Sequence, residues 1–193
     1  MSGPGSLKKR LKRVARIALL IAVALVLLEA FFVQHGKVRL SSMEPSLGDG
    51  DWVLFEKLVV SRGGPRRFDI VVFKAPTDPD KVFIKRVAGL PNEIVEAKGG
   101  RLFVDGEEVA LGDAVDWGET DFGPVTVSPA HYFVVGDNLA ESLDSREWGS
   151  VPRDYILGRV FCRIWPVGDS KIFRRSSAQQ GVRDGDQGIQ TDN

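Results

Sequence analysis

The chain has 193 residues, 43% of them apolar and 27% charged, which is enough for one ordinary domain and excludes a disordered or collagen-like polymer. Its 26 basic and 26 acidic residues cancel, but unevenly: residues 1–33 hold six bases and one acid, Glu29, leaving 20 bases and 25 acids beyond. An acidic main domain argues against a nucleic-acid partner, and the single cysteine, Cys162, excludes an internal disulfide or a Cys-rich zinc site. The two histidines, His35 and His131, lack paired ligand spacing. No metal and no cofactor is therefore expected, and Ser-His-Asp chemistry is disfavoured.

In chain order, a short polar start gives way to Lys8, Lys9, Arg10, Lys12, Arg13 and Arg16, and then to twelve uninterrupted apolar residues, Ile17 to Leu28. Glu29 interrupts the run before Ala30 to Val33 resume it. Residues 14–33 would be roughly 30 Å long as a helix, the thickness of a hydrocarbon core. Phe31 and Phe32 stand where a secretory signal would need small residues for cleavage, and a buried core helix sits poorly beside so dense a basic cluster. The segment reads as an uncleaved single-pass anchor in the lipid bilayer. The positive-inside rule then puts residues 1–13 in the cytoplasm and the domain from residue 34 on the outer, periplasmic side of the cytoplasmic membrane.

After the anchor come short runs rich in β-branched and aromatic residues, including Trp52–Phe55, Asp69–Phe73, Val82–Ile84 and Tyr132–Val135. Arg101–Val104, Asp105-Gly106 and Glu107–Val109 read as a hairpin on an Asp-Gly turn. Val151–Val160 begins with a turn and continues as a strand toward Trp165-Pro166. The predicted fold class is all-β: a coiled antiparallel, barrel-like domain over residues 34–173 behind one N-terminal transmembrane helix. Residues 174–193 are Ser, Gln, Gly and Asp with almost nothing apolar, which predicts a disordered tail.

Three segments are richer in chemistry than a β-domain requires: Ser41–Leu47, Phe83–Pro91 and Gly136–Arg146. Singly, each has a plain reading, as a polar loop at Pro45, a solvated strand lysine, and an Asx turn. Together they resemble the bacterial type I signal peptidases. Ser42-Met43-Glu44-Pro45-Ser46-Leu47 resembles that family's nucleophile box, and Lys85-Arg86-Val87 through Gly89-Leu90-Pro91 its general-base box. Gly136-Asp137-Asn138, Ser142, Asp144-Ser145-Arg146 and Trp148-Gly149 resemble the box near the end of the domain.

The chemistry is coherent in itself. A serine hydroxyl needs an adjacent base, and a lysine amine can be one only when neutral. At an unperturbed pKa near 10.4, about one lysine in 2,500 is neutral at pH 7, so Lys85 has to be desolvated. The resemblance implies Ser42 as nucleophile, since the family's nucleophile immediately precedes Met, and Lys85 as general base. It implies Ser142 as the hydroxyl that orients the Lys85 amine, with Asp144 and Arg146 as a supporting ion pair. Val38, Met43, Leu47, Phe83 and Ile84 match the walls of its substrate pockets. Some members carry a hydroxyl two positions before the nucleophile; here that position is Leu40. The implied activity is cleavage of signal peptides at small-x-small sites in exported preproteins, with no nucleic-acid partner. The competing readings are a self-cleaving Ser/Lys protease and a non-catalytic membrane-tethered β-domain that binds exported proteins.

Overall fold

The computed structural model describes residues 4–61, 63–109, 115 and 119–174. The predicted tail, from residue 175 on, lies outside the described residues. Helix α1 spans Pro4–Phe32, with proline at its first turn, where the missing N–H costs nothing. It runs unbroken through the basic cluster. Among the described residues, no helix is long and apolar enough to cross a membrane. Val33, expected as the anchor's last residue, instead opens strand β1 (Val33–Lys37).

The rest is antiparallel β-structure with two short helices, α2 (Leu58–Ser61) and α3 (Ser145–Trp148). Strands β2 (Trp52–Glu56), β3 (Ile70–Ala75), β4 (Asp78–Gly89), β9 (His131–Val135), β10 (Val151–Pro152), β11 (Ile156–Trp165) and β12 (Lys171–Ile172) join β1 in one sheet. Its order is β1-β2-β11-β3-β4-β9-β10, with β12 paired to β11. A second sheet, in the order β7-β6-β5-β8, holds β5 (Ile94–Lys98), β6 (Arg101–Val104), β7 (Glu107–Glu108) and β8 (Phe122–Thr126). The expected antiparallel all-β class is present, its strands divided between two sheets with open strand orders. The Asp105-Gly106 turn joins β6 to β7 with φ of 52° and 83°, the paired positive values that a two-residue hairpin with right-handed twist needs.

The central strand β3 shows why a continuous apolar run is required. Side chains alternate faces along a strand. Ile70 and Val72 enter one buried cluster with Val38, Met43, Leu47 and Val53, while Val71 and Phe73 enter another with Val87, Tyr132 and Val134. A half-polar strand could not be buried on both faces. Its hairpin partner β4 pairs Val71 with Lys85 and Ile70 with Arg86, and then continues past β3 to pair with β9. A third cluster, around Val95, Leu102, Val127 and Phe133, joins the second sheet to the end of β4 and to β9.

Candidate active site

The site lies where β4 passes beneath the loop between β1 and β2. That loop, residues 38–51, is closed at its neck by acids of Gly48-Asp49-Gly50-Asp51. The Val38 N–H donates to the Asp51 carbonyl at 2.8 Å, and the Gly50 N–H returns a bond to the Val38 carbonyl at 3.1 Å. The Asp51 carboxylate accepts from the Gly48 N–H at 2.9 Å and from the Arg163 guanidinium of β11 at 3.0 Å. Met43 and Leu47 point into the core below, so the apolar residues of the segment pull Ser42 down onto the sheet.

Ser42 Oγ and Lys85 Nζ are in hydrogen-bond contact at 2.6 Å, across 43 residues of sequence. Lys85 is only 4% exposed, flanked by the walls of an apolar cavity of about 510 Å³. Burial pushes its pKa down from 10.5 to about 8; the nearby Asp144 carboxylate opposes the shift and the Arg146 guanidinium assists it. At that value about one Lys85 in eleven is neutral at pH 7, roughly 230 times the share of a free lysine. Among the described residues, the Ser42 N–H has no acceptor, which leaves it available to an oxyanion at the Ser42 side of the cavity.

The loop after β9 closes the site from above. Gly136 sits where a Cβ would run into the Ser42 carbonyl and the Ser142 side chain, so only glycine permits this approach. The Asn138 N–H donates to the Ser42 carbonyl at 3.2 Å. Asp144, fully buried, accepts from the Gly136 N–H at 3.0 Å and from Arg146 Nε at 2.8 Å, and it caps α3 by accepting from the Arg146 N–H. The expected Asp144–Arg146 ion pair is therefore present, and Arg146 also ties down the Leu139 and Ser142 carbonyls.

Two expectations need correction. Ser142 does not meet Lys85: its hydroxyl donates to Asp144 Oδ2 at 2.6 Å. A buried carboxylate is a stronger acceptor than the amine and needs every donor within reach. Leu47 does not line the cavity. It is wholly buried in the core, whereas Val38, Met43, Phe83 and Ile84 do form part of the wall. Leu143 and Glu141, on the loop opposite β1, line it as well. They fall within the Gly136–Arg146 segment, where the resemblance gives a role to their neighbour Ser142 but none to them.

A second buried pair had no assigned role. Arg86, next to Lys85 on β4, forks onto Asp137 through Nε at 2.7 Å and Nη2 at 2.6 Å. It also donates to Ser46 Oγ at 3.1 Å and to the Phe68 carbonyl at 3.0 Å. One guanidinium thus joins the nucleophile loop, the base strand and the closing loop. A neutral substitute could not hold the buried Asp137 charge. His131 lies away from this site, with Nδ1 at 2.8 Å from the Pro129 carbonyl, and His35 lines the cavity while its ring leans on Trp52. Among the described residues, no cluster of His, Cys, Asp and Glu could hold a metal ion.

Known proteins resemble this chain in sequence. Residues 11–165 match the family model described as signal peptidase, peptidase S26. A probable signal peptidase I-2 of Synechocystis is 38% identical over 156 residues, 78% of this chain and 70% of that protein. A signal peptidase I of Bacillus caldolyticus is 36% identical over 174 residues, 82% of this chain and 94% of that one. A crystal structure of a signal peptidase I from Enterococcus faecalis is 32% identical, covers 49% of this chain and 95% of its own, and superposes with a TM-score of 0.44. With most of its length, from α1 to the end of β11, inside that match, the chain belongs to the type I signal peptidases of peptidase family S26.

Proposed function

We propose that Ser42 and Lys85 form the catalytic dyad with which this protein cleaves signal peptides from exported preproteins. The observation that carries the reading is the 2.6 Å approach of a serine hydroxyl to a lysine that burial has brought to a pKa of about 8. Neutral Lys85 takes the Ser42 proton as Oγ attacks the scissile carbonyl carbon. The Ser42 N–H faces the oxyanion. Lys85 then hands its proton to the departing amine, which becomes the N-terminus of the mature protein. The signal peptide is left as an ester on Ser42. A water molecule that gives its proton to Lys85 hydrolyses the ester, releasing a carboxylate and restoring Ser42. Val38, Met43, Phe83 and Ile84 give the cavity an apolar wall suited to the small side chains of a small-x-small site. β1 is the sheet's terminal strand and can take an extended peptide by strand addition. Asp144, Arg146 and Ser142 hold the closing loop.

The test is cleavage of a preprotein by the detergent-solubilised protein. Ser42→Ala and Lys85→Arg abolish turnover, the latter because a guanidinium stays protonated, while Ser41→Ala retains most of it. Equal loss from Ser41→Ala and Ser42→Ala would sink the assignment of the nucleophile.

We further propose that α1 tethers the domain to a bilayer, with its basic end in the cytoplasm and the site on the outer side. Ile17, Leu20, Ile21 and Val26 stand exposed on the helix, and the run Ile17–Leu28 is uninterrupted. Retention of the protein in membranes washed with alkaline carbonate is the expected result; release into the wash would refute the tether.

A further inference from the structure

Leu40 is a residue out of place. It lies two positions before the nucleophile, its side chain is 72% exposed, and its φ is +75°. A leucine in the left-handed region is a genuine outlier, since its Cβ crowds the following carbonyl. Such a conformation persists where the surroundings enforce it. One enforcing contact is visible: the Leu40 N–H donates to Asp49 Oδ1 at 2.9 Å, across the mouth of the nucleophile loop.

The position of this contact matters. After Ser42 the loop is held by backbone bonds, its own Glu44 N–H on the Ser41 carbonyl and Leu47 N–H on the Met43 carbonyl, and the closing loop's Asn138 N–H on the Ser42 carbonyl. Before Ser42 the last backbone anchor is Val38, tied to Gly50 and Asp51. Between Val38 and Ser42 the chain must turn sharply, and the turn is made at Leu40. Asp51 has Arg163 and Gly48 as partners, so it is committed to the neck. Asp49 is exposed, and among the described residues its carboxylate accepts a hydrogen bond from Leu40 alone.

We infer that Asp49 is a positioning residue: its carboxylate, by accepting the Leu40 N–H, holds Leu40 left-handed and so aims Ser42 Oγ at Lys85. The inference rests on the Ser42–Lys85 reading and adds to it a residue that touches neither substrate nor dyad. Without the carboxylate, Leu40 returns to negative φ and the aligned loop becomes a minor conformer. Glycine reaches φ of +75° as readily as negative values and needs no such hold.

The experiment compares Asp49→Ala, Asp49→Asn, Leu40→Gly/Asp49→Ala and Leu40→Ala/Asp49→Ala in the full chain, with kcat and KM measured on a preprotein and the thermal midpoint of each variant recorded. Asp49→Ala is expected to lower kcat about five- to thirtyfold, the equivalent of the roughly 1–2 kcal/mol that left-handed backbone costs a residue with a Cβ, with KM within about twofold. Asp49→Asn, which keeps an acceptor oxygen, retains most of kcat. Leu40→Gly restores kcat in the Asp49→Ala background and Leu40→Ala does not. An unchanged kcat in Asp49→Ala, or equal rescue by glycine and alanine, overturns the inference. If Asp49→Ala does not fold, Asp49→Leu, similar in size and without an acceptor, takes its place. Turnover by Ser42→Ala would defeat the dyad itself, a separate result from any of these.

Discussion

The protonation of Lys85 gives the sharpest quantitative expectation. In the proposed dyad the working base is the neutral amine, so kcat/KM rises with pH as Lys85 loses its proton. With the pKa brought down to about 8 by burial, kcat/KM rises about tenfold between pH 7 and pH 9 and then levels off. A lysine left at 10.5 would instead gain about eightfold more between pH 9 and pH 10. The two charges beside the amine give the direction of further shifts. Asp144 favours the charged amine, so Asp144→Asn moves the midpoint to lower pH; Arg146 disfavours it, so Arg146→Met moves it to higher pH. Both variants also lower the plateau, because both loosen the closing loop, but the midpoint is read independently of the plateau. The assay is kcat/KM for a preprotein or an Ala-x-Ala peptide from pH 6 to pH 10.5 in detergent. A profile still climbing steeply at pH 10, or midpoints shifted in the reverse order, would refute a desolvated Lys85 as base.

Gly136→Ala should cost about 5- to 150-fold in kcat, matching the 1–3 kcal/mol of overpacking, because the new methyl meets the Ser42 carbonyl, which is backbone and cannot rotate away; a kcat within twofold of the parent would show that the loop has room. Ser142→Ala removes one hydrogen bond to Asp144 while Gly136 and Arg146 remain, so a loss of about two- to tenfold in kcat is expected. Its pH midpoint should stay in place, since the hydroxyl bonds the carboxylate and not the amine.

The approach of Ser42 to Lys85 was legible because both residues sit in ordered motifs whose chemistry is self-consistent: a serine before Met-Glu-Pro, and a lysine among Val82, Phe83, Ile84 and Val87 with no acid close on its C-terminal side. The strands that carry it were legible for the same reason that they are buried, their β-branched runs. β1 was not, because Val-Gln-His-Gly-Lys has little strand propensity and pairs only because β2 presents an edge to it. β8, containing Gly123-Pro124, is likewise made a strand by its partner β5. The partner of Ser142 could not be read, since nothing in the sequence says that Asp144 is wholly buried and gathers the donors around it. Leu47 and Met43 look alike on paper and both are buried in the core; only the turn at residues 43–47 decides that Met43 also reaches the cavity wall. Arg86 and Asp137 were each within a matched motif, but 51 residues apart, and their pairing is a product of β4 meeting β9.

The pairing of β3 with β4 has a chemical meaning beyond stability. Lys85 and Arg86 are consecutive, so they leave the strand on opposite faces, one toward Ser42 and the other toward Asp137. A slip of one position in this hairpin would exchange them. Ser42 would then face a guanidinium that never gives up its proton, and Asp137 an ammonium it would keep charged. The ladder from Ile70↔Arg86 to Phe73↔Phe83, between strands only a short turn apart, therefore selects which cation becomes a base. That choice is made by local pairing, before the chain has to bring Ser42 in from 43 residues away.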